Sequence, residues 1–161
     1  MKPARLKVLQ NMPIFGAIRE DILEMLLDSA TITEYAVDSY IFREDDIGMS
    51  LFVMEEGEAQ VTRLLDGQEY IVHTLRPGDC FGEMALIDMG PRSANVVCTK
   101  PCRAIEIYQH HLLAIYKHDI EQFTLVQMNM CREVCRRLRK ADRQLFTSRT
   151  DFAEVPKRPK A

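Results

Sequence analysis

The sequence has no apolar run long enough to cross a bilayer and no apolar signal segment at its start. The residues after Met1 are mixed, with Lys7 and Gln10 lying among the apolar ones. These two absences predict a cytoplasmic protein without membrane contact. The five cysteines are odd in number and scattered, so we interpret them as reduced thiols and not as a disulfide framework.

A basic excess is also lacking, because the formal net charge is −3. Proteins that bind nucleic acids usually carry a clear positive excess, so direct DNA binding is not expected. The basic residues are nevertheless uneven, and six of them crowd one segment: Arg132, Arg136, Arg137, Arg139, Lys140 and Arg143. We interpret most of this cluster as a solvated helix face, with a partner surface or an acidic membrane contact as the alternative.

The signatures of common enzymes are missing as well. There is no Gly-x-Ser-x-Gly motif, no phosphate-binding Walker loop and no His-x-His pair. Cys98 and Cys102 have the spacing of half a zinc site, but Pro101 lies between them and no second pair fits. The sequence therefore predicts neither an enzyme nor a metal site.

The sequence has 161 residues, of which 47% are apolar, enough to form one domain with a hydrophobic core. Residues 1–30 read as helical, since Leu6, Leu9 and Met12 recur at helical spacing before Pro13 interrupts the run. The pattern resumes over Glu20–Ser29 with a broad apolar face. We expect two N-terminal helical segments.

From Thr31 to Tyr108 the periodicity changes to short runs rich in β-branched and aromatic residues, separated by turn signals. The pair Asp66-Gly67 between two alternating runs is a hairpin signal. Strand predictions fall on seven runs: 32–35, 40–43, 50–54, 59–65, 70–75, 94–99 and 103–108. Seven or eight short strands at this spacing predict a β-sandwich or jelly roll over residues 31–108.

Helical periodicity returns after Tyr108, first over Gln109–Tyr116 and then over a long segment, Asp119–Phe146. Cys131 and Cys135 lie one turn apart on that segment, and we interpret them as small core or interface residues in preference to redox sensors. The stretch 147–161 has no apolar period and is predicted to be a flexible tail. The predicted domain therefore covers residues 1–146.

One stretch, Pro77–Val97, does not fit a plain sandwich. Gly82 allows a backbone to approach a ligand closely, and the segment 82–87 resembles the start of a short helix, whose free amides attract anions. Arg92 is a forked, permanently charged donor suited to phosphate oxygens. Glu83 would be repelled by a phosphate, but it can accept hydrogen bonds from sugar hydroxyls. The alternative is that Glu83 and Arg92 form a structural ion pair.

The run Phe81-Gly82-Glu83-Met84-Ala85-Leu86, followed by Pro91-Arg92-Ser93-Ala94, resembles the phosphate-binding cassette of the cyclic nucleotide-binding domain family. The resemblance covers roughly residues 6–146. It implies an eight-stranded jelly roll with flanking helices. It also implies cAMP or cGMP as the ligand, with the phosphate on Arg92 and Ser93 and the ribose 2′-hydroxyl on Glu83. The full candidate site comprises Phe81, Gly82, Glu83, Met84, Ala85, Arg92, Ser93, Ala94, Val72, His73, Arg136 and Arg137.

The resemblance implies a regulatory module that senses a cyclic nucleotide and has no other cofactor. The alternative is an interaction protein that keeps the fold without the ligand. The family's transcription factors carry a helix-turn-helix domain after the long helix, and the present sequence has no room for one. A hydroxyl at Ser93 could serve either base, but the run Arg92-Ser93-Ala94 resembles that of bacterial cAMP-binding members of the family, so we expect cAMP in preference to cGMP. The sequence identifies no protein target.

The long C-terminal helix has apolar residues around more than one face, so one small sandwich cannot bury them all. We expect part of it to pack over the pocket or against a second copy, most simply as a two-fold homodimer. Arg136 or Arg137 is expected to reach the base or Glu83, and Met130 and Val134 to cover the purine.

Overall fold

A computed structural model describes residues 2–148, with side chains from 3 to 147. Within these residues, two helices and a short 3-10 turn precede the strands, one short helix lies among them, and two helices follow them. The helices are α1 (Lys2–Gln10), α2 (Glu20–Ser29), α3 (Met84–Asp88), α4 (Gln109–His118) and α5 (Ile120–Ser148), with the 3-10 turn at Pro13–Phe15. The turn begins at Pro13 because proline fits the first helical position but cannot continue α1.

Eight antiparallel strands form two four-stranded sheets. The strands are β1 (Thr31–Tyr35), β2 (Tyr40–Phe42), β3 (Ser50–Glu56), β4 (Ala59–Leu65), β5 (Gln68–Leu75), β6 (Cys80–Phe81), β7 (Asn95–Cys98) and β8 (Cys102–Tyr108). The first sheet has the order β1-β8-β3-β6 and the second β2-β7-β4-β5. The predicted eight-stranded jelly roll with flanking helices is confirmed.

Strand β3 separates two apolar cores. Leu51 and Val53 point into a core shared with the N-terminal helices, α4 and the first half of α5. Phe52 and Met54 point the opposite way, into the space between the two sheets. Successive side chains of a strand face opposite sides, so a strand covered on both faces must be apolar throughout. That is why the central part of β3, from Leu51 to Met54, is an unbroken apolar run.

The sequence missed one strand and placed two helix ends two residues short. β6 is only two residues long, Cys80–Phe81, too short to show a period. The helices predicted to end at Tyr116 and near Phe146 continue to His118 and Ser148. The remainder of the predicted flexible tail, residues 149–161, lies outside the described residues. Within the described part, no helix is both long and apolar enough to span a membrane.

Candidate functional site

The cassette segment enters from β6, turns at Gly82 and forms the five-residue helix α3. Gly82 has a φ of 77°, a left-handed conformation that glycine adopts without steric cost. Met89 ends α3 in the same left-handed region. The chain then returns through Pro91 and Arg92 to β7. The two turns bring Arg92 back beside Gly82.

Arg92 is buried and already anchored by the protein. Its Nη1 donates to the carbonyls of Ser50 (2.7 Å) and Gly82 (2.8 Å), and its Nη2 donates to Ser50 Oγ (3.0 Å). The guanidinium also lies over the rings of Phe42 and Phe52, at 4.3 and 5.4 Å from their centroids. Burial lowers the pKa of Arg92, but a guanidinium stays charged at any physiological pH.

The anchoring uses three of the five N–H donors of the guanidinium. The other two, Nε–H and one Nη2–H, have no acceptor among the described residues. A positive group that is fixed in place and has donors to spare is suited to hold an anion.

Two glycines make room for this side chain. A Cβ on Gly48 would lie 2.3 Å from Arg92 Nε, and a Cβ on Gly82 would lie 2.6 Å from Nη1. Both distances are far below any real contact, so a side chain at either position would displace the guanidinium. Gly48 therefore belongs to the site, as does Ser50 through its hydrogen bonds to Arg92. Both lie more than forty residues before Arg92 in the sequence.

Glu83 is almost wholly buried, with 1% of its surface exposed. One carboxylate oxygen, Oε1, accepts a 2.6 Å hydrogen bond from Nη1 of Arg137 on α5. The other, Oε2, is buried and has no hydrogen-bond partner among the described residues. An unpartnered buried carboxylate oxygen is costly, and a hydroxyl donor from a ligand would satisfy it.

Arg137 links the cassette to α5. Besides Glu83, it donates to the carbonyl of Cys80 (2.7 Å) and to Oε1 of Glu133 (3.0 Å). Burial acts to lower the pKa of Arg137, but the neighbouring carboxylates outweigh it and the pKa is raised. Glu133, itself buried, also accepts from Arg136 at 2.7 Å. The long helix is thus attached to the cassette through charged hydrogen bonds.

The structure brings most of the predicted site residues together. Phe81 stacks on Phe52 beneath Arg92, with ring centroids 5.4 Å apart. Ala85 and Ala94 are buried, whereas Met84 and Ser93 are exposed side by side, with Ser93 Oγ 3.8 Å from the Met84 sulfur.

Among the described residues, three predicted site residues form no hydrogen bond or ion pair with Arg92 or Glu83, and their contact with a ligand stays a prediction. Val72 and His73 are exposed on β5, in the hairpin that β5 forms with β4. Arg136 bonds to Glu133, and Arg137 alone makes the predicted contact with Glu83. The expectation that Met130 covers the purine is wrong, because Met130 is buried in the core shared with the N-terminal helices.

Several residues of the site were not predicted from the sequence. Gly48, Ser50, Phe42 and Phe52 come from β2, β3 and the loop between them, so only the fold places them at Arg92. Glu133 carried a local signal, since it lies four residues before Arg137, the spacing of a helical ion pair.

Together these features define a ligand-binding jelly roll. A fixed guanidinium with two spare donors and a buried carboxylate oxygen without a partner both adjoin Gly82. Such a site can accept an anionic group and a hydroxyl of one small ligand. No cluster of metal-ligating side chains occurs in the part of the chain that the structure describes.

Comparison with known proteins identifies both the family and the fold of this chain. The profile of the cyclic nucleotide-binding domain family matches residues 32–119. The Cyclic AMP receptor protein of Thermus thermophilus is 30% identical over 138 residues, 85% of this chain and 62% of that protein. Human cGMP-dependent protein kinase 2 is 34% identical over 91 residues, 55% of this chain and 12% of the kinase. A solved cyclic nucleotide-binding domain from Methylobacillus flagellatus superposes with a TM-score of 0.81 at 19% identity, covering 96% of this chain and 86% of that one.

Because the family profile spans more than half of the chain, the chain belongs to the cyclic nucleotide-binding domain family. It spans 62% and 12% of the two curated relatives, both of which are longer.

Proposed function

We propose that this protein is a cyclic-nucleotide sensor that binds cAMP at the cassette and responds through α5. It acts as a regulatory module and not as an enzyme. One observation carries the proposal: Arg92 and Glu83 are both buried beside Gly82, and each keeps unused hydrogen-bonding capacity. The cytoplasmic location, the lack of membrane contact and the lack of DNA binding stay predictions.

The two buried groups fit different parts of a cyclic nucleotide. The spare donors of Arg92, with Ser93 and the backbone amides of 82–85, match the cyclic phosphate. Oε2 of Glu83 matches the ribose 2′-hydroxyl, which can donate to it. An ion pair between Glu83 and Arg92, the alternative weighed from sequence, is not what the structure contains, because the carboxylate binds Arg137 and the guanidinium binds carbonyls.

The proposed response follows from the position of Arg137. It holds Glu83 from α5, so any ligand that moves or neutralises the Glu83 carboxylate changes the attachment of the helix. A ligand shifts a conformational equilibrium only through contacts that differ between the two states. The Arg137–Glu83 contact is the place where such a difference would arise.

Titration calorimetry of the purified chain with cAMP and cGMP tests this proposal. We expect saturable binding of one nucleotide per chain, with cAMP tighter than cGMP. Linear 5′-AMP, which lacks the cyclic diester, serves as the matched control and should bind weakly. The absence of binding by either cyclic nucleotide would support the alternative, an interaction protein that keeps only the fold.

We also propose that the protein forms a two-fold homodimer through α5. On the side of α5 away from the domain body, Met128, Cys131, Cys135 and Leu138 are exposed at spacings of three, four and three residues. Alternating three- and four-residue spacing is the pattern with which one helix packs against an identical one. A second copy is therefore the natural occupant of this face, named here the α5 seam.

A charge placed on the seam should dissociate this dimer. In Leu138→Glu, two copies each lose an apolar contact, together about 3–6 kcal/mol, so the dimer dissociation constant should rise about a hundredfold or more. Gln144→Glu introduces the same charge off the seam and should leave the dimer intact. Sedimentation velocity across a concentration series measures both, and a wild-type chain that stays monomeric at high micromolar concentration would refute the dimer.

A further inference from the structure

The five cysteines separate into two groups by environment. Cys80, Cys98 and Cys102 are buried, while Cys131 and Cys135 are exposed on α5. Burial raises the pKa of Cys80 well above its usual range, and burial together with a hydrogen bond to Cys102 raises that of Cys98 to about 12. Since all three of these thiols are buried, they are shielded from reactants in solution, and the α5 pair carries the accessible thiols.

The two exposed cysteines lie on the α5 seam. Cys131 and Cys135 are the two central positions of the α5 seam, between Met128 and Leu138. In a pair of parallel helices, equivalent positions of such a seam face each other in successive layers. Cys131 would meet the Cys131 of a second copy, and Cys135 would meet its own counterpart.

The seam favours parallel over antiparallel helices. Arg132 occupies the position that flanks the Cys131 layer, and antiparallel pairing centred on the cysteines would bring the Arg132 side chains of both copies together. In parallel pairing the flanking partner of Arg132 is Gln127, and that of Arg139 is Val134. Parallel pairing therefore avoids contact between like charges.

The expected separation of facing Cα atoms in such a helix pair is compatible with a disulfide. Helices packed about 8–10 Å apart, each with Cα atoms about 2.3 Å from its axis, leave directly facing Cα atoms about 3.4–5.4 Å apart. A disulfide requires Cα atoms about 4.4–6.8 Å apart. The two ranges overlap between about 4.4 and 5.4 Å, so helices packed in the wider part of the usual range place facing cysteines within reach of a disulfide.

The surroundings attract anionic reactants. Four arginines line a cleft of about 360 Å³ together with the Cys135 thiol: Arg132, Arg136, Arg139 and Arg143. Their positive charges favour the approach of an anionic oxidant or disulfide to Cys135.

From these observations we infer that Cys131 and Cys135 are an oxidative cross-linking site that joins two copies of this chain by disulfides between equivalent cysteines. The inference rests on the proposed dimer. The sequence favoured a core or interface role over a redox role for these two cysteines. Their exposure excludes the core, and the proposed seam keeps the interface role but adds the redox role that the sequence did not favour.

The chemistry balances with a peroxide as the oxidant. A Cys135 thiolate attacks one peroxide oxygen, the O–O bond breaks, and the products are a sulfenic acid and, after protonation, water. The facing thiol then attacks the sulfenic sulfur, and the S–OH group leaves as a second water. Two thiols have lost two electrons and two protons, and hydrogen peroxide has become two molecules of water.

The test uses the full chain, reduced and assigned an oligomeric state by sedimentation before oxidation. The chain is then treated with hydrogen peroxide, alkylated, and analysed by non-reducing electrophoresis and intact mass. We expect a cross-linked dimer that dithiothreitol reverses. Cys131→Ser and Cys135→Ser should each still cross-link, because each keeps one complete layer. The double variant retains the three buried cysteines and should give no dimer band.

The outcomes separate the thiol site from the dimer. A reduced dimer that does not cross-link overturns the thiol site and leaves the dimer standing, whereas a monomer that does not cross-link overturns both. A disulfide within one chain, or a cross-link that survives in the double variant, shows the assignment to be wrong. So does cross-linking that requires a mixture of the two single variants, since that indicates antiparallel helices. Nucleotide binding, measured on the reduced chain, is independent of all these results.

Discussion

Replacing Arg92 with alanine should lower the affinity for cAMP by about thirtyfold to several thousandfold. Removing one partner of a buried, hydrogen-bonded charge pair costs on the order of 2–5 kcal/mol, and each 1.4 kcal/mol is about tenfold in affinity. The loss is large because the phosphate would enter a buried site that no longer holds a compensating positive charge. Titration calorimetry with cAMP measures the change directly.

The structure adds a complication to this experiment, because Arg92 also supports the fold. Without it, the carbonyls of Ser50 and Gly82 lose a donor, and each unsatisfied buried group costs about 1–3 kcal/mol. Arg92→Lys is therefore the second variant, since it keeps the charge but cannot reproduce the fork. We expect it to fold and still to bind at least tenfold more weakly.

Arg76→Ala is the matched control. Arg76 is exposed, close in sequence to the cassette and only loosely paired with Glu58 at 3.7 Å. Its loss should change neither the melting temperature nor the affinity appreciably. If Arg92→Ala or Arg92→Lys folds and binds cAMP as tightly as the parent, the phosphate does not lie on Arg92.

Glu83→Gln should weaken cAMP binding more than 2′-deoxy-cAMP binding, and so reduce the preference for ribose over deoxyribose. In the parent chain the 2′-hydroxyl would bond to a buried carboxylate, and such a charged hydrogen bond contributes about 1.5–3 kcal/mol. We therefore expect cAMP to bind about tenfold to a hundredfold more tightly than 2′-deoxy-cAMP. In the variant this ratio should fall towards one.

Glu133→Gln is the control that isolates the sugar contact. It removes a carboxylate from Arg137, as Glu83→Gln does, but Glu133 lies on α5 and not in the cassette. Any effect of Glu133→Gln should weaken both nucleotides equally. Equal losses of cAMP and 2′-deoxy-cAMP in Glu83→Gln would mean that Glu83 acts only as the anchor of α5.

Local patterns explain why most of the fold was predictable. The run Ala59–Leu65 lies between turn residues and coincides with β4, and the Asp66-Gly67 hairpin has both residues in the left-handed region. Strand β6 was missed because two residues cannot show a period of two. Met130 was misassigned because periodicity alone does not tell which of several apolar faces a long helix turns towards its own domain.

The candidate site was predictable where its residues are consecutive. The cassette residues from Phe81 to Ala85 and from Arg92 to Ala94 were read from one stretch of sequence. Ser50 and Gly48 were not, because their part in the site comes from the pairing of β3 with β6 and from the return of the chain at Arg92. A contact between distant segments has no local signature in a single sequence.

The anchoring of Arg92 has a consequence for the energetics of recognition. Ordering a long, flexible side chain costs up to about 2 kcal/mol of conformational entropy. Here hydrogen bonds to Ser50 and Gly82 already hold the guanidinium, so that cost is met when the chain folds and not when a ligand arrives. The phosphate end of the site is therefore preorganised. Any reorganisation on binding is therefore expected at the sugar end of the site. There Glu83 is held by Arg137, a half-exposed side chain that comes from a separate helix, α5.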